Sequence, residues 1–197
     1  MKSISIQISG TTPLLCNKFT DKSMEPKGGN KSHPGGDKGS PHEQAEAKLY
    51  GDASNPYVPG PNMFRSIVDG GTFFKVGKSK VTTMKNSMIV SSVEMVELEL
   101  PLVHKDPWTV DSRSVVNPAT RGRMMCHRPK FNDWQLNFTL VVDETEFNTK
   151  LLREVVDMAG RKIGLGDYRP DRKGPFGRYV VTKWVETDKK VVGQPVV

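Results

Sequence analysis

Cysteine is almost missing from this chain: Cys16 and Cys126 are the only two thiols in 197 residues. That excludes a disulfide-stapled scaffold and fits a reducing compartment. Long apolar runs are missing too, so no segment reaches the length of a bilayer span, and the first residues lack the apolar centre of a secretion signal. The expectation is a cytoplasmic protein with no membrane partner. Histidine is sparse, with His33, His42, His104 and His127 scattered along the chain. None stands in a Cys/His cluster with zinc spacing, and His127 beside Cys126 reads as ordinary strand or loop sequence. Neither a metal nor another cofactor is expected.

Catalytic patterns are lacking in the same way. No serine sits in a nucleophile elbow, and no histidine has a recognisable triad partner. The stretch "GTFFKVGKS" falls short of a phosphate-binding loop, because five residues instead of four separate Gly71 from Gly77 and no strand leads into it. Asp37, Asp111 and Asp167 remain as loop acids, and each reads first as a solvated turn residue.

What the chain does have is positive charge, with 29 Lys and Arg against 22 Asp and Glu, a formal net charge of +7. Such a balance favours a polyanionic partner. It also has a readable order of elements. In "SISIQIS" the isoleucines at 4, 6 and 8 alternate with polar residues, the period of a half-buried strand. Residues 21–41 carry almost no large apolar side chain and predict a disordered, basic insertion. "HEQAEAKLY" reads as a short helix, and "NPYVPGPNMFRSIVDGG" as a Pro-Gly turn opening a helix from Asn62 to Asp69 that Gly70 and Gly71 stop. "SMIVSSVEMVELELPL" reads as a strand, with Val96, Leu98 and Leu100 opposite Glu97 and Glu99.

Residues 108–131 predict an inserted β-hairpin with "NPATRG" at its tip. "WQLNFTLVV" alternates again, with Trp134, Leu136, Phe138 and Leu140 on the apolar face. A helix capped by Asn148 places Leu151, Leu152, Val155, Val156 and Ala159 on one stripe. "GRYVVTKWV" closes the set, and residues 188–197 form a loose tail. Strand, helix, strand, hairpin, strand, helix, strand is the split βαβ order, so the predicted fold class is α+β: one ferredoxin-like (RRM-like) domain over 1–187 with a hairpin insertion and a basic loop. Both helices of such a fold cover one sheet face and leave the other free.

The stretch "IGLGDYRPDRKGPFGRYVV" concentrates glycine, cations and rings. A dinucleotide fingerprint requires its glycines between a strand and a following helix, and here Gly164, Gly166, Gly174 and Gly177 follow a helix and precede a strand. Cations beside rings point instead to a strand-tracking surface, on which phosphates meet cations and bases stack on aromatic faces. The candidates are Arg169, Arg172, Lys173, Phe176 and Arg178 in this loop, and Arg121, Arg123, Arg128 and Lys130 in or beside the hairpin. Glycine would then admit the nucleic acid close to the backbone. Trp134 belongs to the apolar alternation and is expected in the core.

Three stretches carry a resemblance. "ISGTTPLLCNKF", "NPYVPGPNMFRSIVD" and "IGLGDYRPDRKGPFGRYVV" are similar to the first strand and its exit, the Pro-Gly turn into the first helix, and the C-terminal glycine-rich loop of the RAMP superfamily, the RRM-derived backbone subunits of CRISPR effector complexes. The resemblance implies a palm with a ferredoxin-like core, a thumb running from Val110 to Lys130, and subunits stacked head to tail along guide RNA. It implies that Gly164, Gly166, Gly174, Gly177, Arg172 and Lys173 lie against the RNA backbone, with Asn62 and Arg65 at the helix start nearby. In some members a loop aspartate cuts target RNA with a divalent ion. Asp37 occupies the corresponding loop, with flanking residues that match only loosely.

The sequence therefore supports a single-stranded nucleic acid binder, RNA ahead of DNA, that partners with itself in a head-to-tail oligomer and with other CRISPR effector subunits. Two alternatives stay open. One is a phage-encoded single-strand DNA binder or effector-mimicking interaction protein, and the other a metal-dependent ribonuclease using Asp37.

Overall fold

The computed structural model describes residues 1–19, 39–116 and 121–188. In strand β1 (Lys2–Gly10) the isoleucines of the alternating stretch are buried. Strand β2 (Leu14–Leu15) follows directly. Helix α1 (Pro41–Glu46) starts from a capping box: Glu43 N donates to Ser40 Oγ at 3.2 Å, and Ser40 N donates to the Glu43 carboxylate at 2.6 Å. Strand β3 (Tyr57–Pro59) runs straight into helix α2 (Gly60–Gly70), with Pro61 in the first turn, where its missing N–H costs nothing. A tight turn (Gly71–Phe73) leads to the small hairpin of β4 (Lys75–Val76) and β5 (Ser79–Lys80).

Helix α3 (Met88–Ser92) passes into β6 (Val93–Met95), β7 (Glu99–Pro101) and β8 (Val103–His104). The long hairpin consists of β9 (Thr109–Val116) and β10 (Arg123–Phe131), and β11 (Trp134–Val142) follows it. Helix α4 (Thr149–Met158) is capped by Asn148, whose Oδ1 accepts from Lys150 N at 2.8 Å. It widens into a π-type turn (Ala159–Ile163) before the glycine-rich loop and the closing strand β12 (Tyr179–Asp188).

The main sheet has the order β12, β1, β11, β6, with β8 also against β11, and every pairing is antiparallel. Register decides its faces. Ile4 lies opposite Leu140, Ile6 opposite Phe138 and Ile8 opposite Leu136, so six apolar side chains share one side. On that side they form one core with Met63 and Ile67 of α2 and with Leu152, Val155 and Val156 of α4. The opposite face carries Ser5, Gln7, Asn137, Thr139 and Lys183 around a shallow depression. Trp134 is buried, as its alternation predicts, and its Nε1 donates to Thr12 O at 2.9 Å. Gly10 lies against this ring, and a Cβ there would collide with the indole.

A second sheet, β2, β10, β9, stands the long hairpin beside the core. Its register runs from Thr109 opposite Lys130 to Val116 opposite Arg123. The hairpin expected over 108–131 is therefore present on the described residues.

Three expectations change. The segment read as one strand through Leu100 begins as helix α3, and beyond β6 Val96 and Leu98 are exposed while only Leu100 is buried. Its partners explain this: Val96 N donates to Thr139 O, the Glu97 carboxylate accepts from Thr139 N, and Leu98 O accepts from Gly60 N, so the chain switches neighbours within three residues. Gly70 is inside α2 instead of stopping it, because it sits where a Cβ would press on Ala159 and the Val155 carbonyl of the α4 segment. Of the insertion expected over 21–41, residues 39–41 lead into and begin α1, while 20–38 lie outside the described residues, as do 189–197 of the tail. Among the described residues no helix is long and apolar enough to cross a membrane.

The two thiols differ in surroundings. Cys16 is buried, which pushes its thiol up to about 12, whereas Cys126 is half-buried, with Lys48 Nζ 3.1 Å from its Sγ. Alkylation of the native protein at neutral pH should modify Cys126 and leave Cys16 until denaturant is added. Equal labelling of both, read by intact mass, would contradict the buried position of β2's exit.

Candidate nucleic-acid interface

The glycine-rich loop folds on its own glycines. Gly164, Gly166 and Gly177 adopt φ values of 75°, 72° and 69°, the left-handed region that disfavours a Cβ. Space is as restrictive as angle. A Cβ on Gly166 would meet the Leu15 carbonyl, one on Gly177 the Leu165 carbonyl, and one on Gly174 the Tyr168 carbonyl. Gly164 would touch the Pro170 ring. The space a side chain would need at each of these glycines is thus taken by the protein's own backbone or by the Pro170 ring. Backbone bonds from Leu165 N to Gly177 O, Gly177 N to Pro13 O and Asp167 N to Leu15 O then sew the loop to itself and to the exit of β1.

Two arginines bind this loop to the base of the long hairpin. Arg128 of β10 reaches Asp167, with Nε 2.6 Å from Oδ2. The contact is an ion pair without good hydrogen-bond alignment, since Arg128 Nε has no directional partner. Asn17 Nδ2 donates to the same carboxylate oxygen at 3.0 Å, and Tyr168 N donates to Oδ1 at 2.9 Å. Arg113 of β9, held by Asp111 through Nε at 2.9 and 3.0 Å, stands 4.8 Å over the Phe176 ring. Asp111 and Asp167 are thus the acids of two arginine pairs.

Beside the loop lies a cleft of about 250 Å³, between the exit of β2, the start of α2 and the glycine loop. Asn62, Arg65, Gly164, Gly166 and Arg169 all line it, with Asn17, Tyr50, Ser66 and Asp167. Five of the candidate residues from two distant stretches meet there. Pro59 gives α2 no side-chain cap, Gly60 N donates to Leu98 O, and the helix turns the side that carries Asn62, Arg65 and Ser66 to the cleft. Ser66 Oγ, deeper in, donates to Gly164 O at 3.0 Å and lies 3.3 Å from the Tyr179 hydroxyl. Burial pushes that phenol well above its ordinary range, so it stays neutral.

The cations are less free than their number suggests. Arg65 is paired with Asp69 at 2.9 Å, and Arg169 donates to Gly166 O and to Asp171, both at 3.2 Å. Arg178 donates to the Arg161 carbonyl. Arg128 is buried, so it does not present a charge to a ligand, and Phe176 is buried beneath Arg113, which removes the ring face expected to stack on a base. Arg172 and Lys173 are exposed at the loop's outer turn, with Arg172 3.4 Å from Asp171. Arg121 and Arg123 are exposed at the hairpin tip, whose residues 117–120 lie outside the described ones; Lys130 is half-buried at its base. Asp37 also lies outside them.

Sequence reasoning missed Asn17, Tyr50, Arg113 and Ser66. Arg113 left a signal, since it follows Asp111 by two positions in a strand and so shares its face. Tyr50 left none, because only the fold carries the end of the α1 segment to the start of α2.

No protein-family model matches the chain, and no curated protein sequence does. Among solved structures, it is similar to a chain in the cryo-EM structure of the Type III-B Cmr-beta bound to cognate target RNA, with a TM-score of 0.53 and 13% identity. That likeness covers 94% of this chain and 60% of the other, so this chain spans about three fifths of its neighbour's length. At this identity the likeness is one of fold.

Gly166→Ala and Gly177→Ala combine a left-handed φ with a backbone collision and should each cost about 2–4 kcal/mol of stability. Gly77→Ala, at φ 59° in open space, should cost about 1 kcal/mol. Thermal unfolding measures the contrast, and equal losses at all three would mean that the packing is not decisive. Arg128→Met should cost about 2–3 kcal/mol by leaving Asp167 without its partner, and adding Asp167→Asn should restore part of it. Strict additivity in denaturant titrations would show the pair to be uncoupled.

Proposed function

We propose that this chain is a single-strand nucleic acid-binding subunit of the RAMP kind, with RNA as its strand. It would act as a backbone subunit placed head to tail along the strand within a CRISPR-type effector. The observation that carries this reading is the convergence of Asn62, Arg65, Gly164, Gly166 and Arg169 on one cleft. These residues come from stretches about a hundred positions apart that the resemblance assigns to the strand's backbone. The sheet order β12, β1, β11, β6 supports a ferredoxin-like palm, because a split βαβ fold numbered by its four core strands reads 4, 1, 3, 2. The similarity in fold to a chain of an RNA-bound Cmr complex points the same way.

In this reading a phosphate sits in the cleft, where the side chains of Asn62, Arg65 and Arg169 supply donors. Tyr50 offers a half-buried ring at the cleft wall for a base. Arg172 and Lys173 continue the positive path outward. The arm of β9 and β10 projects as the thumb, with exposed Val116, Met124 and Met125 beside Arg121 and Arg123 near its end. Apolar side chains next to cations suit insertion beside stacked bases. The open sheet face presents Ser5, Gln7, Asn137, Thr139 and Lys183 around its depression, and Phe138 of the lining is buried in the core and offers no free ring face, which favours the cleft as the strand's seat.

Fluorescence anisotropy with labelled single-stranded RNA and DNA, each long enough for several subunits, tests the reading at low and high salt. RNA should bind saturably and cooperatively, with affinity falling steeply as salt rises. Arg65→Glu with Arg169→Glu, or Arg172→Glu with Lys173→Glu, should weaken binding about tenfold or more, against little change for Lys150→Glu on α4. Tighter binding of DNA would change the strand. Absence of binding to either at low salt would remove the function.

A further inference from the structure

The segment between Asp69 and Glu94 contains Lys75, Lys78, Lys80 and Lys85 and no acidic residue. All four lysines are exposed, and none has an ion pair among the described residues. The backbone that presents them is firmly built. The hairpin of β4 and β5 turns at Gly77, and Val81 N donates to Phe74 O behind it. A second tight turn follows at once: Thr83 N donates to Asn86 O at 2.8 Å, and Thr83 Oγ1 accepts from Asn86 N at 3.1 Å. Beneath both turns Val81 and Ile89 are buried, and the buried hydroxyls of Thr82 and Ser87 lie 2.8 Å apart. Gly71 allows this base to press on the end of α2, because a Cβ there would strike Thr82 Oγ1 and Ile89.

Three large apolar side chains ride on the same turns without cover: Phe73, Val76 and Met84 are all exposed, Met84 completely. Solvation alone accounts for lysines and not for a phenylalanine and a methionine held out between them. Cations interleaved with apolar faces on a rigid support match a strand whose phosphates and bases alternate. The position is separate from the cleft. The cleft is lined by the first half of α2, as far as Ser66, and the twin turns hang from the other end of this helix of 11 residues, about 16 Å from its start.

We propose that the twin turns over 73–85 form a second contact for single-stranded nucleic acid, which holds a stretch of strand beyond the one in the cleft. The proposal rests on the reading of the chain as a strand binder, and it does not use the cleft's residues. The charge complement is a phosphodiester backbone, and Phe73 supplies the ring face for a base.

The test uses the full chain and a long uridine-rich RNA carrying 4-thiouridine. Photocrosslinks mapped by mass spectrometry should fall within 73–85 as well as at the cleft. Lys75→Gln, Lys78→Gln, Lys80→Gln and Lys85→Gln together should abolish the 73–85 crosslinks and leave those at the cleft. They should also weaken binding about tenfold and lower the salt slope by about 3, the value for four phosphates on a single strand. Crosslinks confined to the cleft, with the quadruple variant matching wild type in affinity and slope, would overturn this proposal and leave the cleft reading standing. No binding by the wild type would overturn both. If polyglutamate bound the wild type through these lysines while RNA did not, the occupant would be an acidic protein, and the proposal would again fail.

Discussion

The contact between Arg128 and Asp167 is the constraint that joins the long hairpin to the glycine-rich loop. One partner sits in β10 of the projecting hairpin, the other in the glycine-rich loop that leads to β12. Through it the hairpin base, the exit of β1 and the loop become one body, since Asn17 and the Tyr168 amide hold the same carboxylate. Arg128 is buried, so loss of Asp167 would strand its charge. Asp167 also lines the cleft, so the pair ties one wall of it to the hairpin. Arg113 over Phe176 repeats the connection one strand further out.

Around this body the core sheet is an ordinary amphipathic layer. Six apolar side chains from β1 and β11 meet two helical stripes, and the register that pairs Ile6 with Phe138 leaves no freedom to slip without turning every one of them to solvent. The site is then assembled at the ends of elements: the start of α2, the exit of β2, the loop after α4. Element ends carry unsatisfied backbone groups and tolerate varied side chains, which is why chemistry collects there.

Much of this was legible in the sequence. Period-two alternation gave β1 and β11 with their inward faces, Asn148 gave the start of α4, and paired extended runs gave the long hairpin. What misled was local pattern without partners. The alternation of Val96, Leu98 and Leu100 looks like a strand, yet the chain there changes neighbours within a few residues and leaves two of the three exposed. Candidate cations were found by counting, but counting does not reveal that Arg128 is buried with Asp167 or that Arg65 is matched by Asp69. The cleft itself was half visible: Asn62 and Arg65 at one end and the glycines at the other were named, while Asn17, Tyr50 and Ser66 depend on how distant segments meet.

The glycines of the loop have an implication for how such chains are recognised. Each one answers to a carbonyl or ring of the protein itself, so its identity is fixed by the closing of the loop and is indifferent to whatever occupies the cleft. The cations between them meet no such collision: Arg172 and Lys173 point into solvent, although Lys173 shares the left-handed φ, at 59°, and Arg169 is held by Gly166 O and Asp171. A pattern search built on those glycines would therefore gather proteins by how the loop is folded, and the nature of the cargo would have to be read from the residues in between.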